Sequence, residues 1–209
     1  MSGLTVDDLR AEAEARLAGL EDGASLDALQ DALVRYAIAV SPSCLNTEAA
    51  DAAASQALAA GGTVAMLHEV IVLVSGLGVH SLMTMSARLP LPDASDAARD
   101  GLWNKFVGDN PCWTQFETQV PGFLGALLAH SPAAFEGFFQ YCSLPWSNRT
   151  LSSRTMELIS LAVDACPAHR FGPGFRLHLE NALSLGLSRR QILEAMDIAA
   201  ASGGHVGVH

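Results

Sequence analysis

Two stretches of this chain read as copies of one another, and a repeat of that kind confines the fold to paired helical units. Ala57–His80 aligns without gaps on Ala182–His205. Ala57, Leu58, Gly61, Glu69, Gly78 and His80 then stand opposite Ala182, Leu183, Gly186, Glu194, Gly203 and His205. Upstream, AIAVSPSC ending at Cys44 resembles SLAVDAC ending at Cys166, with three extra residues before the next helix of the second copy. In that register Glu157 faces Arg35 and His178 faces Ala53. A repeat that keeps its polar residues in one half only reads as a scaffold half beside a working half.

The residues between the punctuation marks favour helix almost throughout. Alanine and leucine dominate, β-branched runs are short, and apolar residues recur at three and four. Thr5 caps a first helix to about Leu20, and Ser25 caps a second, Leu26 to Val40, ended by Ser41-Pro42. Asn46 to Ala60 is a third, closed by Gly61-Gly62. Thr63 opens a long apolar helix to about Arg88, weakened at Gly76 and Gly78. Pro90 to Ser95 reads as a linker. Ala97–Val107 and Cys112–His130 follow as helices anchored by Trp103, Phe106, Trp113 and Phe116, the second broken near Pro121-Gly122. Pro132–Tyr141 is a short aromatic helix and Leu144–Asn148 a loop. The second copy then supplies Arg154–Cys166, a loop over Pro167–Gly174, Phe175–Leu185, and a last helix capped by Ser188. No convincing strand is present, so the fold class is all-α, with duplicated helical hairpins packed antiparallel. The division predicted is 1–88, a degenerate repeat; 89–150, a helical linker segment; and 151–209, the repeat that carries the site.

Charge and cysteine usage remove several classes of function. The 209 residues carry 22 acids against 12 bases, a net charge of −10, which opposes a phosphate-binding surface and hence nucleic acid. Cys44, Cys112, Cys142 and Cys166 show no CxxC and no zinc spacing. No signal peptide is recognisable, so reduced thiols and a cytoplasmic location are expected. The most apolar run, Val64–Val79, carries His68 and Glu69 and is shorter than the ~20 residues that cross a bilayer, so it is expected to be a buried helix rather than a membrane span.

From Met156 to Gly204 the chain resembles the carboxymuconolactone decarboxylase family, which is related to the alkylhydroperoxidase D proteins. The matching features are a helix with an early Glu157 and then a helix with Arg176, His178, Ala182, Leu183 and Gly186. A final helix follows with Ser188, Ile192 and Glu194. The resemblance is good over Arg154–Gly204, weaker over Leu33–His80, and without a usable motif between them. It implies an all-helical unit that oligomerises, and activities that include decarboxylation of a carboxylated lactone or peroxide chemistry through a CxxC pair. In the redox branch the two cysteines would fall at Phe171 and Gly174, where this chain has neither. Cys166 could meet Cys142 or Cys112 only through a tertiary contact, and the peroxidase reading is therefore disfavoured.

Glu157, His178 and His169 form the candidate catalytic set. A carboxylate on one helix and an imidazole on the next can face each other across a hairpin, giving an acid and a base with pKa values moved toward neutrality. Arg154 and Arg170 are candidates to grip a substrate carboxylate, with Cys166 also beside the substrate. Each residue has a plainer structural reading: Glu157 bonded to the loop backbone, His178 a satisfied interior histidine, His169 a loop brace, Cys166 a small buried hydrophobe. His80 and His205 suit structural or subunit-contact roles, and His68 with Glu69 could pair across an oligomer interface. No histidine spacing supports a metal, and no cofactor is expected. The leading function is a cofactor-free decarboxylase-like enzyme acting on a small organic acid or cyclic substrate. A redox protein and a non-catalytic binding scaffold are the alternatives. The expected assembly is a homo-oligomer, a trimer or dimer of doubled units.

Overall fold

Short helices, each closed by a specific cap, make up nearly all of the structure. The computed structural model describes residues 3–92 and 97–207, and among these are thirteen α-helices and no strand. The protein is all-α. Asp93, Ala94 and Ser95 of the expected linker lie outside the described residues; Leu89–Pro92 before them is without helix.

The chain divides into two compact units. One contains the described residues through Ser75 together with those from Asn148 onward; the other is Gly76–Ser147. Boundaries at 75 and 148 replace the predicted ones at 88 and 150, and both copies of the repeat fall in one unit. The physical reason is burial: Leu33 and Ala37 from the first copy and Leu158, Leu161 and Ala162 from the second are all in the core.

The first unit comprises α1 (Val6–Arg16), α2 (Ala28–Val40), α3 (Thr47–Ala59), α4 (Val64–Ser75), α11 (Ser153–Ala165), α12 (Gly172–Ser184) and α13 (Arg189–Ala200). Helices α2 and α3 pack as a hairpin, as do α11 and α12, while α2 and α11 lie against each other at the centre. The two helix triplets have equal lengths: α2 and α11 have 13 residues, α3 and α12 13, α4 and α13 12. Their connections bond alike. Asn46 N–H donates to the Ala39 carbonyl and Phe171 N–H to that of Asp164; Gly62 N–H donates to Ala57 and Leu187 N–H to Ala182. Leu45 and Arg170, at matching places, are both left-handed, with φ of 32° and 51°.

This geometry corrects the upstream register. Ala28 pairs with Ser153 and Thr47 with Gly172, with no three-residue gap. Glu157 therefore stands opposite Ala32, not Arg35, and Cys44 opposite His169, while His178 still matches Ala53. Two cysteines that look like equivalents in the sequence occupy different places in their loops.

Caps also moved some helix ends. α2 starts after Asp27, whose carboxylate accepts from Gln30 N–H in a reciprocal capping box, because Leu26 N–H is already bonded to Glu194 Oε2 at 2.7 Å. α1 ends at Arg16, ahead of Gly19 at φ 82°. The apolar run beginning at Val64 is not the buried helix expected. Helical conformation continues through the 3₁₀ turn Gly76–Gly78 to Arg88, 25 residues in all, and only 22% of its most apolar window is buried. By length and hydropathy alone that stretch could span a membrane.

The second unit contains α5 (Val79–Met85), a 3₁₀ turn at Ser86–Arg88, α6 (Ala97–Phe106), α7 (Pro111–Gln119), α8 (Phe123–His130) and α9 (Pro132–Cys142). The loop expected at Leu144–Asn148 is instead a five-residue helix, α10. The unit's core is aromatic. Trp113 meets Phe139 edge-on at 4.7 Å and Phe106 stacks on Phe139 at 5.1 Å, which bears out the packing role expected of those residues. Gly122, at φ 77°, makes the break between α7 and α8.

Candidate functional site

Helix α11 is buried on most of its surface, so any charged group on it needs a partner. Glu157 is 4% exposed and faces α12. Its Oε2 lies 2.7 Å from His178 Nδ1, and its Oε1 accepts from Asn181 Nδ2 at 3.3 Å. His178 and Asn181 are three apart, one turn of α12, so both reach the same carboxylate. The structure thus brings Glu157 and His178 into direct contact across the α11–α12 hairpin. Burial by itself pulls the His178 imidazole down, but the Glu157 hydrogen bond and charge, with Asp164 behind them, hold it above its ordinary value. The Glu157 bond engages Nδ1 and leaves Nε2 as the other ring nitrogen.

Asp164 is the residue that sequence reasoning missed. It sits seven residues after Glu157, two turns along the same face of α11, and is 1% exposed. Its Oδ1 is 3.6 Å from His169 Nε2. Burial pushes its carboxyl up to about 7, opposed by the charge of His178. The signal available was an acid at helical spacing from Glu157 inside the otherwise apolar run LAVDAC.

His169 does not join Glu157. Its Nδ1 bonds Ser43 Oγ at 3.0 Å, and Nε2 turns to Asp164, so the ring bridges the α2–α3 loop and α11. Burial lowers its pKa, so it is a neutral imidazole more readily than His178.

Gly174, where the redox branch would carry a cysteine, has no room for a side chain unless its neighbours shift. A Cβ there would collide with Asp164 Oδ2 and approach Phe171 Cδ1 to 2.8 Å. The Asp164 carboxylate occupies the space that a side chain at 174 would need. That is a packing reason, beyond the missing motif, why a thiol does not stand at this point of α12.

The two arginines are occupied elsewhere. Arg154 donates from Nη1 to the Leu185 carbonyl at 2.6 Å, closing the C-terminal end of α12. Arg170 donates to the Leu4 carbonyl at 3.4 Å. Cys166 is fully buried as the cap of α11, and Cys44 is buried too, its thiol donating to the Gly203 carbonyl at 3.2 Å. All four cysteines are free thiols, with Cys112 exposed and Cys142 half-buried. Glu69, expected at an oligomer interface with His68, is buried and accepts from Asn148 Nδ2 at 2.9 Å; His68 is exposed. His205 is exposed as well. A cavity of about 330 Å³ lies between the α2–α3 hairpin of the first copy and the end of α13 in the second, lined by Arg35, Cys44, Ala53, Gln56, Ile198 and Gly203 among others, and not by Glu157 or His178.

The segment from α9 through α13 holds all three candidate catalytic residues. It matches the family model of carboxymuconolactone decarboxylase, over residues 132–205. A crystal structure of a candidate gamma-carboxymuconolactone decarboxylase subunit from Burkholderia xenovorans LB400 superimposes with a TM-score of 0.69 at 25% identity, covering 92% of this chain and 77% of that one. The all-α architecture of this chain is therefore shared with a solved carboxymuconolactone decarboxylase-like protein along nearly its whole length. No curated protein gives a significant sequence match.

Proposed function

We propose that this chain is a carboxymuconolactone decarboxylase-like lyase performing cofactor-free acid–base chemistry on a small organic acid or cyclic substrate. The observation that carries the reading is the 2.7 Å bond between His178 Nδ1 and Glu157 Oε2, with Asn181 fixing the second carboxylate oxygen. Glu157 orients the imidazole and favours its protonated form. When a carboxylate leaves as carbon dioxide, the electron pair remains on carbon as an enolate or carbanion, and imidazolium Nε2 returns a proton to it. The neutral imidazole left behind is still held by Glu157. Asp164, with a carboxyl that titrates at about 7, is placed to tune His178 rather than to touch substrate.

The two helix triplets are, on this reading, copies of one ancestral unit. The second keeps Glu157 and His178 where the first has Ala32 and Ala53, so one working site per chain is expected. A homo-oligomer of doubled units is proposed with it, supported by exposed Val64 and Ile71 on α4.

A thermal-shift screen against small carboxylic acids and lactones tests the site. A ligand that stabilises wild type and fails to stabilise His178→Ala or Glu157→Gln supports the reading. A ligand that stabilises all three equally, or turnover that survives in His178→Ala, overturns it.

A further inference from the structure

The cavity of about 330 Å³ beside α13 stands where the second copy carries its polar groups. In the register that pairs Ala28 with Ser153 and Thr47 with Gly172, its lining residues Ala39, Cys44 and Ala53 match Asp164, His169 and His178. Gln56 matches Asn181, which holds the Glu157 carboxylate in the second copy. An acid and two imidazoles are thus replaced by two methyl groups and a thiol, and the volume they would occupy is open. The place has not closed up. Ala49 and Ala52 share a face of α3 with Ala53, line the same hollow and are exposed. A concave apolar wall left in contact with water is favourably covered by a small guest.

The polar groups around the hollow decide what kind of guest fits. Arg35 is the one charged residue along it among the described residues. Its Nε donates to Asp31 at 2.6 Å and its Nη2 at 3.0 Å, so that charge is already balanced. The opposite wall is the chain leaving α13, residues 201–204. The carbonyl end of a helix carries partial negative charge and disfavours an anion. Among the described residues no carboxylate lines the hollow to draw in a cation. Gln56 supplies both a donor and an acceptor. The size suits one substituted ring, since a dry cavity of about 150 Å³ already admits benzene.

We propose that this hollow is a second, non-catalytic ligand site, built in the degenerate copy, for a small uncharged ring molecule carrying one hydroxyl, a phenol. The ring lies against the alanine face of α3 and Ile198, and the hydroxyl exchanges hydrogen bonds with Gln56. Because the walls come from α2, α3 and the end of α13, a bound ring ties the hairpin of the first copy to the last helix of the second. A phenol is neither a carboxylic acid nor a lactone, and neither Glu157 nor His178 lines the hollow. This site and the proposed lyase site can therefore fail separately.

The test uses the full chain with its alanine and isoleucine methyl groups labelled for NMR, titrated with para-cresol and, separately, with para-toluate as the charged counterpart. Saturable shifts are expected at the methyls of Ala49, Ala52, Ala53 and Ile198. The toluate should bind at least about tenfold more weakly, because its charge must be desolvated. Ala52→Phe puts a ring into the hollow from an exposed position and should abolish the cresol shifts, whereas His178→Ala should bind cresol as wild type does. The proposal is wrong if millimolar cresol leaves those methyls unmoved, binds Ala52→Phe as well as wild type, loses its binding in His178→Ala, or is matched by toluate. The wild-type shifts decide the matter even if a variant fails to fold.

Discussion

At Gly174 the absence of a side chain is a structural requirement rather than a flexible joint. A methyl group there meets the Phe171 ring and the Asp164 carboxylate, which is buried. Gly174→Ala is expected to cost about 2–4 kcal/mol by overpacking and by displacing a buried acid, read as a lower midpoint in urea unfolding. A variant as stable as wild type would show that Asp164 is not held where the structure places it. Asp164 and His178 also set the pH dependence. The Asp164 carboxyl rises from 3.8 to about 7 on folding, so the native state binds more protons than the unfolded chain between those values. Stability from this group therefore falls as pH rises from about 4 to about 7, by up to about 4 kcal/mol. His178 acts in the same direction: its pKa is raised, so its contribution is complete below the ordinary histidine value and is lost as pH climbs through the raised one. Urea unfolding at pH 5 and pH 8 should show wild type weaker at pH 8, with a smaller difference in Asp164→Asn. An equal difference in the variant would remove Asp164 from this account. Glu157 and His178 were legible in the sequence as a carboxylate and an imidazole on neighbouring helices. Asp164 was hidden because an acid in an apolar run betrays its burial only once α11 is known to be covered on most sides.

Helix ends carry the element-scale energetics, since each leaves backbone groups unpaired. Ser188 caps α13 through a reciprocal box with Gln191, and its hydroxyl also bonds the Ala24 carbonyl. Ser188→Ala is expected to cost about 1–2 kcal/mol. Thr63 begins α4 at the matching place, where its hydroxyl accepts from Met66 N–H alone, so Thr63→Ala should cost less, about 1 kcal/mol. Chemical denaturation of the two variants compares them, and a larger loss in Thr63→Ala would contradict the assignment. Existence and order of the helices could be read from caps and apolar spacing, and the family resemblance located α11 to α13 correctly. The upstream register could not. Matching Cys44 to Cys166 by letter inserted a gap, whereas the loops align by hydrogen bonds and by their left-handed Leu45 and Arg170. Nothing in a one-dimensional match distinguishes residues that are equivalent from residues that only share a letter. The long apolar run misled for a related reason: hydropathy reports what a helix is made of, and its covering depends on neighbours that composition does not name.

At the scale of the molecule, the two copies share one core while the chain between them, Gly76–Ser147, folds as a unit of its own. Leu33 and Ala37 of the first copy and Leu158 and Leu161 of the second lie in that shared core, so a cavity cut in one copy should weaken both. Leu158→Ala is expected to cost about 2–5 kcal/mol, read as a lower midpoint in urea unfolding. A midpoint equal to that of wild type would mean that Leu158 does not hold the two copies to one core.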